Sequence, residues 1–414
     1  MLGPRREGRS QTSPLPPAPA PKENPLSLRD EAVDLLAALV AFPTESRTPN
    51  AALIDLVAER AAEAGAAVNR VEGPAGRSNL HLRFGPEAPG GVLVCGHTDV
   101  VAAGPGWATD PYTLTVCGDR LLGRGTADMK GFIACALAAA IRCDPSGWKA
   151  PLHVGLSYDE EIGCAGVASL LQRLAGDPLV APAIVVVGEP TGLTLRTSHA
   201  GKVTYTVRAS CIPGHSSLAP TRTNALDQIV AVARAVIEVN AHATELGAST
   251  NVGTLHAGAA VNVLAPSAEL CFECRHRCSC DPEEILADVW AQVEIARAAL
   301  AGLEGAVEVV CDARYPALRT SENHPEVKFF AEVIGRAGAG HLQFGCEAGL
   351  YAEYLSVPAV VFGPGHIGDA HRPDEFITTD QIVDACTALT AIIGAYCTPA
   401  GAHNATRHAT SAST

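Results

Sequence analysis

Five short segments of the chain carry side chains that commonly bind divalent cations. They are residues 96–99, 125–131, 159–161, 188–191 and 370–373. Together they offer two imidazoles and several carboxylates, and each lies just after an apolar run or beside a glycine-rich turn. Such a set suits two divalent ions that share a bridging carboxylate, with one further carboxylate left over as a base. The pattern therefore predicts hydrolysis of an amide bond by a metal-activated water.

His97 and Asp99 are two positions apart, so in an extended turn their side chains point to the same side. His97 could bind a metal ion while Asp99 holds the other ring nitrogen. The alternative is a buried histidine followed by an aspartate that caps the next element. Asp128, in a glycine-flanked loop ahead of an apolar helix, could bridge two ions or could cap that helix.

Glu160 and Glu161 are adjacent, so their side chains diverge in an extended segment. One of them can bind a metal ion while the other faces the substrate as a general base. The alternative for both is a solvated acidic turn. Glu189 follows an apolar run and precedes a proline, and no neighbour in the sequence would pair a buried carboxylate there. Metal binding is therefore favoured for Glu189, and His371 lies in the loop after a further apolar run.

Three more candidate residues lie in the middle of the chain. His215, in a Pro-Gly-His-Ser-Ser turn, could polarise a carbonyl group in the transition state or could be a surface histidine. Arg275 could hold a substrate carboxylate through its two guanidinium donors or could be a solvated charge on a sheet face. Asn262 could donate a hydrogen bond to substrate or could cap a turn.

Composition narrows the class of protein. The formal net charge of −14 over 414 residues disfavours a nucleic-acid partner, because binding to phosphates needs clustered Lys and Arg. No apolar run reaches the roughly 18 residues of a membrane span, and no secretory signal is evident, so we expect a cytoplasmic protein without a membrane partner. A serine nucleophile is disfavoured because the sequence has no Gly-x-Ser-x-Gly elbow.

Alternating helix and strand patterns predict an α/β fold around a mostly parallel central sheet. The wholly apolar runs 91–95, 152–157, 183–187 and 357–362 are typical of buried parallel strands. A ligand-type side chain follows each of them, and parallel strands present their carboxyl ends at one edge of a sheet. Helices are predicted at 27–42, 51–64 and 130–141.

The middle of the chain has a different pattern. Its order of strand, helix, two strands, helix and strand predicts a small α+β insert. We therefore predict a proline-rich disordered leader at 1–26, a catalytic domain at 27–195 and 312–397, the insert at 196–311 and a disordered tail at 398–414.

Five motifs follow one another along the chain: Gly-His-Thr-Asp, Gly-Arg-Gly-Thr-Ala-Asp-Met-Lys-Gly, Asp-Glu-Glu, Gly-Glu-Pro-Thr and Gly-His-Ser-Ser. In these motifs and in their order the chain resembles the M20 metallopeptidase family, and the resemblance extends from about residue 28 to residue 396. Within the family it is most similar to the acetylornithine deacetylase branch. The resemblance implies a zinc-peptidase-like catalytic domain that hydrolyses an N-acyl amino acid, with N2-acetyl-L-ornithine as the leading substrate. The alternatives are N-succinyl-diaminopimelate as the runner-up, or the substrate of another N-acyl-amino-acid deacylase or of a dipeptidase.

The resemblance also implies roles for individual residues. Asp128 would bridge two zinc ions, for which cobalt could substitute. His97 and Glu189 would complete one set of ligands. The other set would come from Glu161 and His371. Glu160 would deprotonate the attacking water and later protonate the leaving amine, and Asp99 would orient His97.

The insert would form a homodimer interface and act as a lid. The partner subunit's His215 would stabilise the developing oxyanion, and Arg275 would bind the substrate carboxylate. The family usually has a small hydroxyl residue where Cys346 stands, so the choice of acyl amino acid depends on that position. A non-catalytic binding protein on the same fold is the alternative outside this class, but it predicts loss of a ligand or of Glu160, and the sequence keeps them all.

Overall fold

The computed structural model describes residues 27–336 and 339–399. The predicted leader at 1–26 and nearly all of the predicted tail at 398–414 lie outside the described residues. In chain order the α-helices of the described residues are α1 Leu28–Val40, α2 Ala51–Glu63, α3 Lys130–Arg142, α4 Ala168–Ala175, α5 Ala225–Glu245, α6 Pro282–Ile285, α7 Ala287–Ala301, α8 Pro325–Val333, α9 Ala348–Leu355 and α10 Thr379–Cys397.

The β-strands complete the element order. They are β1 Ala67–Glu72, β2 Ser78–Phe84, β3 Val92–His97, β4 Thr115–Cys117, β5 Arg120–Leu122, β6 Leu152–Ser157, β7 Ile184–Val187, β8 Arg196–His199, β9 Gly201–Ser210, β10 Gly214–His215, β11 Ser249–Ala257, β12 Val263–Leu264, β13 Ser267–His276, β14 Ala306–Tyr315, β15 Leu318–Arg319, β16 Gly340–Leu342, β17 Ala359–Val361 and β18 Phe376–Thr378. Within the described ranges, no helix is both long and apolar enough to cross a membrane.

A large mixed sheet forms the centre of the molecule. Its strand order is β1-β2-β6-β3-β7-β17-β8-β15, with β16 paired to β8. The four strands predicted from apolar runs are β3, β6, β7 and β17, and they lie side by side and parallel in the middle. The antiparallel pairs β1–β2, β2–β6, β17–β8 and β15–β8 lie outside that centre. The predicted α/β class with a parallel core is therefore confirmed.

Helices cover both faces of this sheet, which explains why its central strands are apolar throughout. In β3, Val92 and Val94 belong to the hydrophobic cluster that includes α1, α3 and α10. The alternate residues Leu93 and Cys95 belong to the cluster that includes α4 and α9. A strand buried on both faces cannot alternate apolar with polar residues, so its sequence is a continuous apolar run.

The insert is a separate layer with its own core. A four-stranded antiparallel sheet of order β11-β13-β9-β14 packs against α5 and α7. The chain order β9, α5, β11, β13, α7, β14 is the predicted order of strands and helices. The range 196–311 predicted for the insert includes β8, which pairs in the large sheet, and ends inside β14. The short strand β8 alternates in burial, as the insert strands do, which explains why its pattern alone does not separate it from them.

Candidate metal centre

The ligand-type side chains meet at the carboxyl edge of the four central strands. His97 is the last residue of β3, and Glu160 and Glu161 follow β6. Glu189 follows β7, and His371 lies in the loop after β17. Because these strands are parallel, each one delivers its side chain to the same edge of the sheet.

Asp128 lies between two imidazoles. Its Oδ1 is 3.1 Å from Nε2 of His97, and its Oδ2 is 3.2 Å from Nε2 of His371. The same nitrogen of His371 is 3.0 Å from Oε1 of Glu161. Two ligand atoms on one zinc-sized ion lie roughly 3–4 Å apart, given bonds of about 2.0–2.2 Å. The two oxygens of Asp128 are therefore placed to face two neighbouring cation positions.

The ligand atoms form two overlapping groups around His97. Those of His97, Asp128 and Glu161 all lie within 4.8 Å of one another. Those of His97, Glu160 and Glu189 meet the same limit. His97, Asp128 and Glu189 are buried, whereas the side chain of His371 is 44% exposed.

The electrostatics of this cluster fit divalent cations. Burial raises the pKa of Glu189 well above its usual range, and the carboxylates of Asp128 and Glu160 raise it further. Burial and the charge of Asp128 also raise the pKa of Glu161. Among the described residues, the buried Oε1 of Glu189 has no hydrogen-bond partner. Buried carboxylates are normally satisfied by donors or by metal ions, so this oxygen is accounted for if it is a cation ligand.

His97 is held from its other ring nitrogen by Asp99. Nδ1 of His97 lies 2.9 Å from the backbone carbonyl oxygen of Asp99 and 3.7 Å from its Oδ1. The Asp99 carboxylate instead accepts hydrogen bonds from the Ser46 hydroxyl and from the backbone N–H groups of Glu160 and Glu161. Asp99 therefore connects the imidazole to the turn that carries both glutamates, and the ring contact is made mainly by its main chain.

Glu160 has surroundings that differ from those of Glu161. Its Oε1 accepts a contact from the Cys164 thiol at 3.5 Å. Burial raises the pKa of Glu160 well above its usual range, although the nearby His97 opposes this shift. Cationic charge in the cluster would lower that pKa and favour the ionised form that a general base needs.

The loop that carries Asp128 is fixed by a buried ion pair that sequence reasoning missed. The guanidinium of Arg124 donates to Oε2 of Glu375 at 2.6 Å, and both side chains are about 2% exposed or less. Oε1 of Glu375 accepts hydrogen bonds from the backbone N–H groups of Ala127 at 2.9 Å and Asp128 at 3.1 Å. Glu375 lies 247 residues from Asp128 in sequence, so no local pattern signals the contact.

Two backbone features set the directions of the outer ligands. A Cβ atom at Gly188 would lie 2.0 Å from ring carbons of Phe132, so only glycine fits immediately before Glu189. His371 adopts φ of 59°, a left-handed conformation that is uncommon for residues other than glycine. Such backbone strain is often found at functional sites.

A cleft of about 290 Å³ opens beside the cluster. Asp128, Glu160, Glu161, Glu189 and His371 line one side of it. Lys202, Arg275 and Tyr315 from the sheet of the insert also line it, together with Gly163, Phe344, Gly345 and Ile367 from surrounding loops. The structure therefore brings the predicted substrate-binding Arg275 to the cluster. Sequence reasoning missed Lys202 and Tyr315, because their signals are single positions in alternating strands.

His215 and Asn262 lie together in another place. They belong to the region of the two-residue strands β10 and β12, where the backbone N–H of Ser216 donates to the carbonyl of Asn262. Both residues are exposed, and neither lines the cleft. Cys346 is fully buried beside the cleft-lining Gly345, so its thiol is not on the cleft surface.

The fold and the cluster of ligand-type side chains fit a metal-dependent hydrolase. Residues 93–395 match the model of peptidase family M20/M25/M40, and the chain belongs to this family. It is 30% identical over 383 residues to an acetylornithine deacetylase of Photorhabdus laumondii subsp. laumondii, covering 88% of this chain and 97% of that protein.

Solved structures share the fold at lower identity. An M20 family metallo-carboxypeptidase of Sulfolobus solfataricus superposes with a TM-score of 0.70 at 17% identity, covering 88% of this chain and 99% of the other. A Bacillus subtilis protein described as a dinuclear metal binding peptidase of the family superposes with a TM-score of 0.60 at 14% identity, covering 88% and 98%.

Proposed function

We propose that this protein hydrolyses the amide bond of an N-acyl amino acid, with N2-acetyl-L-ornithine as the leading substrate. The products would then be L-ornithine and acetate, as in arginine biosynthesis. The observation that carries the proposal is the convergence of five ligand-type side chains from five separate segments on one sheet edge, beside a further glutamate. The acetylornithine deacetylase relative supports the choice of substrate.

The proposed ligand set is the one that the family resemblance implies, and the observed distances are compatible with it. Asp128 would bridge the two cations, His97 and Glu189 would hold one of them, and Glu161 and His371 would hold the other. Two bound divalent ions, zinc in this proposal with cobalt able to replace it, supply Lewis acidity and lower the pKa of a water. The buried, unpartnered oxygen of Glu189 supports this assignment.

Glu160 is the proposed general base and acid. It shares a ligand group with His97 and Glu189, whereas the close contacts join Asp128, Glu161 and the two histidines. Its carboxylate would take a proton from the attacking water and later deliver it to the leaving amine nitrogen. The contact between Cys164 and Glu160 would restrict the orientation of that carboxylate.

The substrate carboxylate would bind Arg275 on the opposite wall of the cleft. His215 and Asn262 lie outside the cleft of their own chain, so they would act only if a partner subunit presented them. We therefore propose a homodimer formed through the insert, in which the partner subunit's His215 donates to the developing oxyanion. A cytoplasmic location is part of the proposal and rests on the sequence.

The assay that tests the function is release of acetate from N2-acetyl-L-ornithine by the purified, zinc-loaded chain, compared with release of succinate from N-succinyl-diaminopimelate. We expect acetate release to dominate and a strong chelator to abolish it. Preferential release of succinate would instead indicate N-succinyl-diaminopimelate as the substrate. Hydrolysis that a chelator leaves unchanged would contradict a metal-dependent reaction.

A further inference from the structure

Lys202 lies in the middle of a three-strand row that faces the candidate metal centre. In the antiparallel sheet of the insert, Lys202 on β9 is directly opposite Arg275 on β13 and Tyr315 on β14. Opposite residues in antiparallel strands project from the same face with Cβ atoms about 4.5–5.5 Å apart. All three line the cleft that is also lined by Glu160 and by Asp128, Glu161, Glu189 and His371.

Glu273 pairs closely with Arg275 and only at a longer distance with Lys202. Glu273 accepts from Arg275 Nε at 2.9 Å and from the same guanidinium at 3.4 Å, so the arginine is held by a two-point ion pair. The ammonium group of Lys202 is 3.9 Å from Glu273, which is too far for a hydrogen bond, and 5.9 Å from the centre of the Tyr315 ring. Two cations and one carboxylate leave one net positive charge on this wall.

We infer that Lys202 is a substrate-binding residue that holds the α-carboxylate of an N-acyl amino acid together with Arg275. The inference rests on the function proposed above. Among the described residues, the Lys202 ammonium makes only the long ion pair with Glu273 at 3.9 Å and keeps donors for a further hydrogen bond, whereas Arg275 is already hydrogen-bonded to Glu273. A carboxylate bound between them restores neutrality, and the acyl amide of the same molecule can then reach the ligand cluster across the cleft.

If Lys202 binds the substrate carboxylate, replacing it should weaken the binding of charged ligands and not of neutral ones. A charge-assisted hydrogen bond contributes about 1.5–3 kcal/mol, so its loss weakens binding roughly 10- to 100-fold. The loss applies only to ligands that carry the carboxylate. A neutral carboxamide of the same shape has no charge to lose, and its binding is insensitive to the side chain at position 202.

The test uses calorimetric titration of the zinc-loaded protein with N-acetyl-L-norvaline and with its carboxamide. We expect Lys202→Met to weaken binding of the carboxylate roughly 10- to 100-fold and to change carboxamide binding less than about threefold. Lys202→Arg should retain most of the affinity. Lys328→Met, an exposed lysine on α8, is the matched control and should bind both ligands like the unchanged protein.

If Lys202→Met lost the same affinity for the carboxylate and for the carboxamide, the role of Lys202 would be merely structural and the inference would be overturned. Failure of the unchanged protein to bind the carboxylate would overturn it as well. Acetate release from N2-acetyl-L-ornithine is measured with the same protein preparations. For this reaction the inference predicts a raised KM and a nearly constant kcat for Lys202→Met. Carboxylate binding that depends on Lys202 without any acetate release would contradict the proposed hydrolysis and still support this inference.

Discussion

Glu160 and Glu161 are neighbours in sequence but occupy different chemical positions. Glu161 lies 3.0 Å from Nε2 of His371 and shares a ligand group with His97 and Asp128. Glu160 shares a ligand group with His97 and Glu189 and accepts a contact from the Cys164 thiol, and both glutamates line the cleft. The Asp99 carboxylate fixes both backbone N–H groups, so the turn itself directs the two side chains apart. The proposed function gives proton transfer to Glu160 and metal binding to Glu161.

This assignment predicts opposite effects for two matched amide substitutions. Glu160→Gln keeps the shape of the side chain but removes its proton-accepting charge, so kcat should fall by roughly 10²- to 10⁴-fold or more while metal content stays unchanged. Glu161→Gln should instead lower the metal content. Rates and metal content are measured on the same samples. If Glu160→Gln hydrolysed substrate at the original rate, Glu160 would not be the base.

At the scale of the element, the loop before α3 determines where Asp128 stands. Glu375 precedes β18 and accepts three hydrogen bonds from backbone N–H groups of this loop, two at its carboxylate and one, from Gly123, at its carbonyl. It also forms the ion pair with Arg124. The loop would otherwise contain buried N–H groups without acceptors. A structural acid thus lies directly behind a candidate metal ligand, in a segment that comes almost at the end of the chain.

Glu375→Gln tests this support. Removing one partner of a buried pair leaves the Arg124 charge uncompensated, and the free energy of unfolding should fall by about 3–5 kcal/mol. Metal affinity should fall as well, because the Asp128 loop loses its anchor. Denaturant unfolding of the chelated protein gives the first quantity and metal titration the second.

Glu269→Gln is the control for that experiment, since it removes a partner of the exposed Arg208 pair, and it should change stability by less than about 1 kcal/mol. If Glu375→Gln lowered the free energy of unfolding no more than this control does, the buried pair would not be what holds the loop.

The elements that carry the ligands could be predicted because their signals are local. A strand buried on both faces requires an uninterrupted apolar run, and β6 coincides with the run at 152–157. The helix at 27–42 was equally predictable, because Ser27 caps α1 by accepting from the backbone N–H of Asp30 at 3.1 Å. The strands β1 and β2 were not predicted, although Leu80, Leu82 and Phe84 of β2 alternate with polar residues in a pattern that is typical of a strand.

At the scale of the whole molecule, the cleft lies between two layers with separate hydrophobic cores. The large sheet supplies the ligand cluster, and the insert supplies Lys202, Arg275 and Tyr315. Sequence patterns placed the candidate ligands His97, Glu161, Glu189 and His371 because each lies at or after the end of a central strand, and Asp128 was placed by its glycine-flanked loop. They could not locate Lys202, since its position opposite Arg275 and Tyr315 depends on the register of three strands far apart in the chain.

The central claim is that side chains from five segments form one centre for two cations on which amide hydrolysis depends. The most direct test is titration of chelator-stripped protein with zinc, following bound metal and acetate release from N2-acetyl-L-ornithine in the same samples. We predict about two bound equivalents per chain, with hydrolysis returning as these sites fill. Hydrolysis by the stripped protein, or failure of the chain to bind zinc, would contradict the account.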